Sequence, residues 1–181
     1  MDGVTLIPIR GKAPVIHPTA FVAPGCKLIG DIEIGPESSI WYNCVLRADV
    51  HSIRIGARVN IQDGSVVHVD SPQGDHPGFP TIIGDDVLIG HMAMVHGCRL
   101  HDRAFVGLGS IVMDGGTIES DGMLAAGAML TPGKTIGGGQ IWAGRPAKFL
   151  RDLTPEQIAA NLQGVAHYVE NAKAHRAAIS G

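Results

Sequence analysis

Three histidines, His68, His91 and His96, have the type and spacing that point most directly to chemistry. Neutral imidazoles are strong ligands for divalent metals, and three of them leave a tetrahedral ion with one open position. Water held at such a position loses its proton near neutral pH and becomes a hydroxide nucleophile. His68 follows Val67 and His96 follows Val95, an interval of 28 residues. An insertion between Val67 and Ile83 accounts for about ten of these, which leaves 18. The other histidines have plainer places. His17, His101, His167 and His175 fall where solvent-facing positions are expected, His51 lies in a slip of the pattern and His76 in the insertion.

The number 18 matters because of what must position the histidines. An aliphatic residue returns every six positions: Ile16, Val22, Leu28, Ile34, Ile40 and Leu46. After a three-residue slip it resumes at Ile55, Ile61 and Val67, and after the insertion at Ile83, Ile89 and Val95. One residue is then dropped, and the series runs Leu100, Val106, Val112, Ile118, Leu124, Leu130, Ile136 and Trp142. Four residues after the aliphatic position a small or β-branched residue recurs, as at Ala20, Cys26, Ser38, Val59, Ser65, Val87, Ala93, Ala104, Ser110 and Ala128. A period of six fits neither a helix nor a plain strand. It fits a triangular coil of short strands and turns, with the aliphatic residue inside and the small residue filling the corner. Three hexads close one coil, and stacked coils supply the core that a single coil lacks.

On this geometry His68 and His96 stack one coil apart on the same face, at a spacing from which two imidazoles can chelate one ion. His91 lies two residues after Ile89, on the preceding face, and Asp63 occupies the same place one coil earlier. His91 therefore points away from the other two within one chain. A threefold assembly brings it to them from a neighbouring subunit. Taken alone, His68 and His96 fit equally well as ordinary polar residues on outward positions.

The repeat stops near Arg145. Thr154-Pro155-Glu156-Gln157 then reads as a capping box with proline at the first helical position. Ile158, Leu162, Val165 and Val169 share one face of the helix that follows, expected from about 155 to 177 along the outside of the coils. The chain thus divides into a β-helix domain over 1–153, with a lead-in and an inserted loop at 70–80, and a C-terminal helix over 154–181.

Composition narrows the functions. Net charge is −3 and no Lys/Arg-rich run occurs, which argues against nucleic acid and anionic membranes. No apolar run spans a bilayer, and the first residues predict no secretory leader. Three cysteines without a spacing pattern fit a reducing compartment, and the expected location is the cytoplasm.

The hexads resemble the hexapeptide-repeat superfamily, whose members form left-handed parallel β-helices. That handedness comes from the resemblance, since the usual crossover rule predicts the opposite. Within that superfamily the constellation resembles the γ-class carbonic anhydrases. Leu46-Arg47-Ala48-Asp49 resembles the family's Arg-x-Asp segment, and Asn60-Ile61-Gln62-Asp63 its Asn-x-Gln-Asp segment. His68 with His91-x-x-x-x-His96 resembles its metal ligands. The resemblance covers essentially the whole repeat domain. It implies a homotrimer in which His68 and His96 come from one subunit and His91 from the next, and it implies CO₂ and bicarbonate as substrates. It implies zinc, with iron or cobalt also suited to three imidazoles. It assigns Gln62, with Asn60, to the metal-bound water or substrate, and pairs Arg47 with a carboxylate across the interface. Asp49 and Asp63 are the candidates for that pairing. Tyr168 resembles a tyrosine that approaches the site in bacterial members. One departure stands out: archaeal members carry proton-moving glutamates in the loop after the first ligand, and residues 70–80 contain none. Asp70 and His76 are candidates in their place, and the departure bears on turnover rather than on metal binding.

The same fold also hosts CoA-dependent acyltransferases. Trp142-Ala143-Gly144-Arg145-Pro146-Ala147-Lys148 resembles a segment common to both groups. Arg145, Lys148 and Arg151 are the cations available to a phosphate, although Gly-Arg-Pro also serves simply to end the coils. A metal-keeping scaffold of low activity is a third reading. Metal content separates the acyltransferase from the other two, and hydration activity separates enzyme from scaffold.

Overall fold

In the computed structural model, which describes residues 2–180, the six-residue period becomes a left-handed parallel β-helix. The registers follow the sequence intervals. Ile40 pairs with Ile61 across the slip, and Ile61 with Ile89 across the insertion. Ile89 then pairs with Val106, Val106 with Leu124, and Leu124 with Trp142. The first face stacks parallel strands from Phe21–Val22 to Gln140–Ala143. The second carries Val66–His68 and Met94–His96, and the third carries Thr81–Ile83 and Arg99–Leu100. Two long strands, Lys27–Ile34 and Val45–Ile55, run through the corner between the second and third faces. Their pairing shifts between Gly30 and Ile32, so that residues 49–52 bulge outward opposite Asp31. That bulge is the three-residue slip of the sequence.

The aliphatic positions form the core. Leu28, Ile40, Leu46, Ile61, Val67, Ile89, Val95, Val106 and Leu124 are all buried. Each such side chain contributes roughly 1.5–3 kcal/mol by leaving water. The corner positions are buried as well, and a hydroxyl there must be bonded. Ser65 Oγ donates to the Gly90 carbonyl (3.1 Å) and accepts the Ala93 N–H (3.2 Å). Ser38 repeats the device with Gly56 and Val59.

One column of corner residues, Glu37, Arg58, Asp86, Arg103 and Asp121, turns through the left-handed region with φ between 54° and 63°. Each non-glycine residue costs about 1–2 kcal/mol there. Their side chains offset part of it by alternating in charge. Arg58 grips Asp86 through two bonds (2.6 and 2.8 Å), and Arg103 grips Asp121 likewise (2.7 and 2.8 Å).

The end of the repeat holds an element that the sequence reading lacks. After Gln140–Ala143 the chain reverses, and Lys148–Asp152 pairs antiparallel with it. The hairpin closes the last coil, where the Ala147 N–H donates to the Met129 carbonyl (2.8 Å). The helix α1 (Pro155–Ser180) then runs three residues past its expected end. Its capping box forms as read: Thr154 Oγ1 accepts the Gln157 N–H (3.3 Å), and Gln157 Oε1 accepts the Thr154 N–H (3.1 Å). Val165 and Ala172 are buried against the first face. Arg176 ties the far end of α1 to the first coil through the Thr19 carbonyl (2.9 Å).

Candidate metal centre

Parallel pairing sets His96 directly beside His68 on adjacent coils of the second face. Both side chains are largely buried, with 16% of His68 and 32% of His96 exposed. His68 Nδ1 and His96 Nε2 lie 3.0 Å apart, and the ring centres 4.9 Å apart. The remaining nitrogen of each ring faces a carboxylate. His68 Nε2 lies 3.1 Å from Asp49 Oδ1, and His96 Nδ1 lies 2.5 Å from Asp114 Oδ1. Burial pushes the His68 imidazole below its ordinary pKa, and the Arg47 and His96 charges act the same way against the bond to Asp49. Burial alone would raise the Asp49 carboxyl, but the bonds from His68 and Arg47 outweigh it and hold it below the usual range.

His91 sits elsewhere, in the turn after the strand Leu88–Ile89 of the first face. Its Nδ1 lies 2.8 Å from Asp63 Oδ2, and 43% of the side chain is exposed. Among the described residues, no three His, Cys, Asp or Glu side chains of one chain come together as a metal would need. The His68–His96 pair nonetheless suits a metal as a donor set. A carboxylate only accepts, so the nitrogen facing it carries the proton and the other carries a lone pair. His68 Nδ1 and His96 Nε2 then present lone pairs to each other, an arrangement that a proton or a metal ion between them satisfies. Two imidazole nitrogens on a tetrahedral zinc sit about 3.3 Å apart, close to the spacing seen.

The other predicted residues gather around this pair unequally. Arg47 bonds Asp49 within the chain (2.6 Å). Asp63 is engaged by His91 and by the Tyr42 N–H (3.2 Å). Asn60 and Gln62 are both buried, and Gln62 Nε2 donates to Asn60 Oδ1 (3.2 Å). Asn60 Nδ2 has no partner among the described residues. Tyr168 lies under α1, edge-on to Trp41 with ring centres 5.4 Å apart, in a cluster with Phe21 and Ala172. Burial and the Asp63 charge raise its phenol above the ordinary value. In the inserted loop, Asp70 and His76 face each other at 3.7 Å, and His76 packs on Phe79. The cations of the acyltransferase reading are partly engaged. Arg145 bonds the Gly127 and Gly109 carbonyls, and Arg151 bonds Gln157. Sequence reasoning missed Asp114. Counting points one residue short of it: this coil lacks one residue, so Val95 pairs with Val112, the position one coil after His96 is Met113, and Asp114 comes next.

Known proteins bear on this arrangement. No family model matches the chain. A protein named carbonic anhydrase from Geobacillus kaustophilus is 38% identical over 172 residues, covering 95% of this chain and 91% of that protein. Gamma carbonic anhydrase 1, mitochondrial, from Arabidopsis thaliana is 47% identical over 173 residues, which are 96% of this chain. The chain spans 63% of that plant protein's length. Among solved structures, a hexapeptide transferase family protein from Anaplasma phagocytophilum has a TM-score of 0.88 at 45% identity, covering 96% of this chain and 99% of that one. Fold and repeat thus define the class, a hexapeptide-repeat β-helix protein. The chain belongs to the γ-class carbonic anhydrase family, a family of lyases.

Proposed function

We propose that this chain catalyses the reversible hydration of CO₂ to bicarbonate at metal sites shared between the subunits of a homotrimer. The observation that carries the reading is the His68–His96 pair, whose lone-pair nitrogens stand 3.0 Å apart in a chain of this family. His68 and His96 of one subunit and His91 of the next would hold the metal, with zinc the first choice and iron or cobalt suited to the same donors. When bound, it supplies the Lewis acidity that lets a water lose its proton near neutral pH.

The chain's own residues do the rest. The bond from Gln62 Nε2 to Asn60 Oδ1 fixes the Gln62 amide and leaves its Oε1 to accept a hydrogen bond from water or to orient substrate. The buried, unpartnered Asn60 Nδ2 is a donor for an incoming oxygen. Asp49, held below the usual carboxylate range, stays ionised and orients the His68 ring. Arg47, about half exposed, can reach a carboxylate of the neighbouring subunit as well as Asp49. Tyr168 stays a neutral phenol at physiological pH, so it serves as a donor rather than a base.

Support for the trimer comes from an outward stripe of apolar residues on the face that carries the histidine pair. Val45, Val66, Met94, Ile111 and Met129 stack in register there, and Met94 is 38% exposed. Such a stripe beside a half-complete donor set suits a second copy of the chain. Among the described residues, no helix is long and apolar enough to cross a membrane. The cysteines are free thiols, as a reducing compartment leaves them, and we place the protein in the cytoplasm.

The test joins metal analysis to activity. Metal-replete protein should hydrate CO₂ with a rate that rises with pH through neutrality. Gln62→Ala should lower kcat by about ten- to a hundredfold with metal retained. Metal-replete protein that hydrates no CO₂ but transfers acetyl groups from acetyl-CoA would overturn the proposal.

A further inference from the structure

We infer that the three histidines of the shared site offer unlike nitrogens, His68 through Nδ1 and both His91 and His96 through Nε2, each held by its own aspartate, with Asp114 as the positioning residue for His96. The inference rests on the shared site proposed above and adds to it which atom of each ring faces the metal and what holds that ring.

The second face carries an unbroken array across four coils. Asp49 Oδ1 meets His68 Nε2 at 3.1 Å, His68 Nδ1 meets His96 Nε2 at 3.0 Å, and His96 Nδ1 meets Asp114 Oδ1 at 2.5 Å. Asp49 reaches its histidine from the coil before, and Asp114 from the coil after. The two rings are therefore turned opposite ways about the gap between them. A neutral imidazole has one N–H, and the facing carboxylate takes it. The nitrogens left with lone pairs are the two that face each other. Carboxylate placement and ring-to-ring contact thus select the same two atoms independently.

His91 follows the rule from another face. Asp63 Oδ2 holds its Nδ1 at 2.8 Å, which leaves Nε2 on a ring that is 43% exposed and open to a neighbouring chain. A hydrogen bond from the distal nitrogen to a carboxylate fixes the tautomer and raises the basicity of the ligand.

A glycine makes room for Asp114. A Cβ added at Gly97 would lie 2.4 Å from Asp114 Oδ1, well inside contact distance. The carboxylate occupies space that any other residue at position 97 would take, directly after the ligand His96. Among the described residues, His96 is the side chain that Asp114 pairs with, and no Lys or Arg meets it.

The experiment uses full-length ¹⁵N-labelled protein reconstituted with zinc. Long-range ¹H–¹⁵N spectra of the histidine rings report which nitrogen carries the metal and which carries hydrogen. The expected result is metal on Nδ1 of His68 and on Nε2 of His91 and His96. Zinc bound through Nδ1 of His96, or through the same nitrogen of all three rings, overturns the inference and leaves the proposed site standing. Zinc failing to bind the wild-type protein at all would sink both. Competition with a zinc chelator supplies a second readout. Asp114→Ala should weaken zinc binding about ten- to a hundredfold. Asp114→Asn, which keeps an acceptor oxygen, should recover part of the loss. The comparison variant is Asp121→Asn, in the Arg103 pair at another corner, and it should bind zinc within about twofold of wild type. Wild-type affinity in Asp114→Ala, or an equal loss in Asp121→Asn, would overturn the role of Asp114.

Discussion

Tyr168 shows how one side chain's surroundings limit what it can do. Its ring packs against Trp41 under α1, and burial with the Asp63 charge raises its phenol pKa. Both causes disfavour the phenolate, so the folded chain holds that proton more tightly than the unfolded chain does. The sign of the linkage follows: this stabilisation is complete below the unfolded value near pH 10 and is lost as pH rises through the folded one. Absorbance titration of wild type against Tyr168→Phe should find a phenol that ionises above about pH 10 and vanishes in the variant. A Tyr168 signal ionising below that value would contradict this account. At the histidine pair the expected effect is larger. His68→Ala should lose bound metal, because two imidazoles and water hold a divalent ion much more weakly than three. Elemental analysis showing full occupancy in that variant would remove His68 from the ligand set.

The coil and the helix fail in different ways when altered. Coils approach each other so closely at Gly107 that a Cβ there would lie 2.3 Å from the backbone nitrogen of Ala126. Neither backbone can move without breaking its ladder. Gly107→Ala should therefore cost about 1–3 kcal/mol or more, read as a lower urea midpoint. Removing the cap on α1 is a milder change. Thr154→Ala deletes the acceptor of the Gln157 N–H and should cost about 1 kcal/mol, with the β-helix intact. Hydrogen exchange should show the loss confined to the first turn of α1, and loss of protection in the coils would show that the helix start is coupled to the core.

At the scale of the whole molecule, the decisive question is which chain supplies His91. His91 leaves the first face while His68 and His96 stack on the second. In the proposed homotrimer, assemblies made only of His68→Ala chains, or only of His91→Ala chains, would lack one ligand at every interface. Mixing and reassembling the two allows an interface between intact His68–His96 on one chain and intact His91 on its neighbour. Metal binding and hydration activity should partly return in the mixture. Mixed trimers shown by mass that still bind no metal would refute sharing between subunits. The apolar stripe makes a companion prediction. Ile111→Glu places a charge in it without touching the core residue Val112, and should dissociate the proposed trimer in sedimentation while leaving the far-ultraviolet circular dichroism unchanged.

The hexad phase, the coil registers, the capping box and the stacking of His68 on His96 were legible in the amino-acid sequence. All of them follow from local periodicity: a side chain's direction is set by its place in the strand, and close packing repeats that choice every coil. The placement of His91 over Asp63 was legible for the same reason, because it needs only counting. The hairpin that closes the last coil was not, since Lys148–Asp152 occurs once and has no period to reveal it. Nor were the hydrogen bonds that orient the rings. Asp114 stands one residue past the position in phase with His96, and counting cannot say that its carboxylate turns back toward Nδ1 of that ring. That depends on side-chain rotamers, on the space left above Gly97 and on the bulge that brings Asp49 to the other side. Only the tertiary structure decides these, because each is settled by atoms from separate coils competing for one volume.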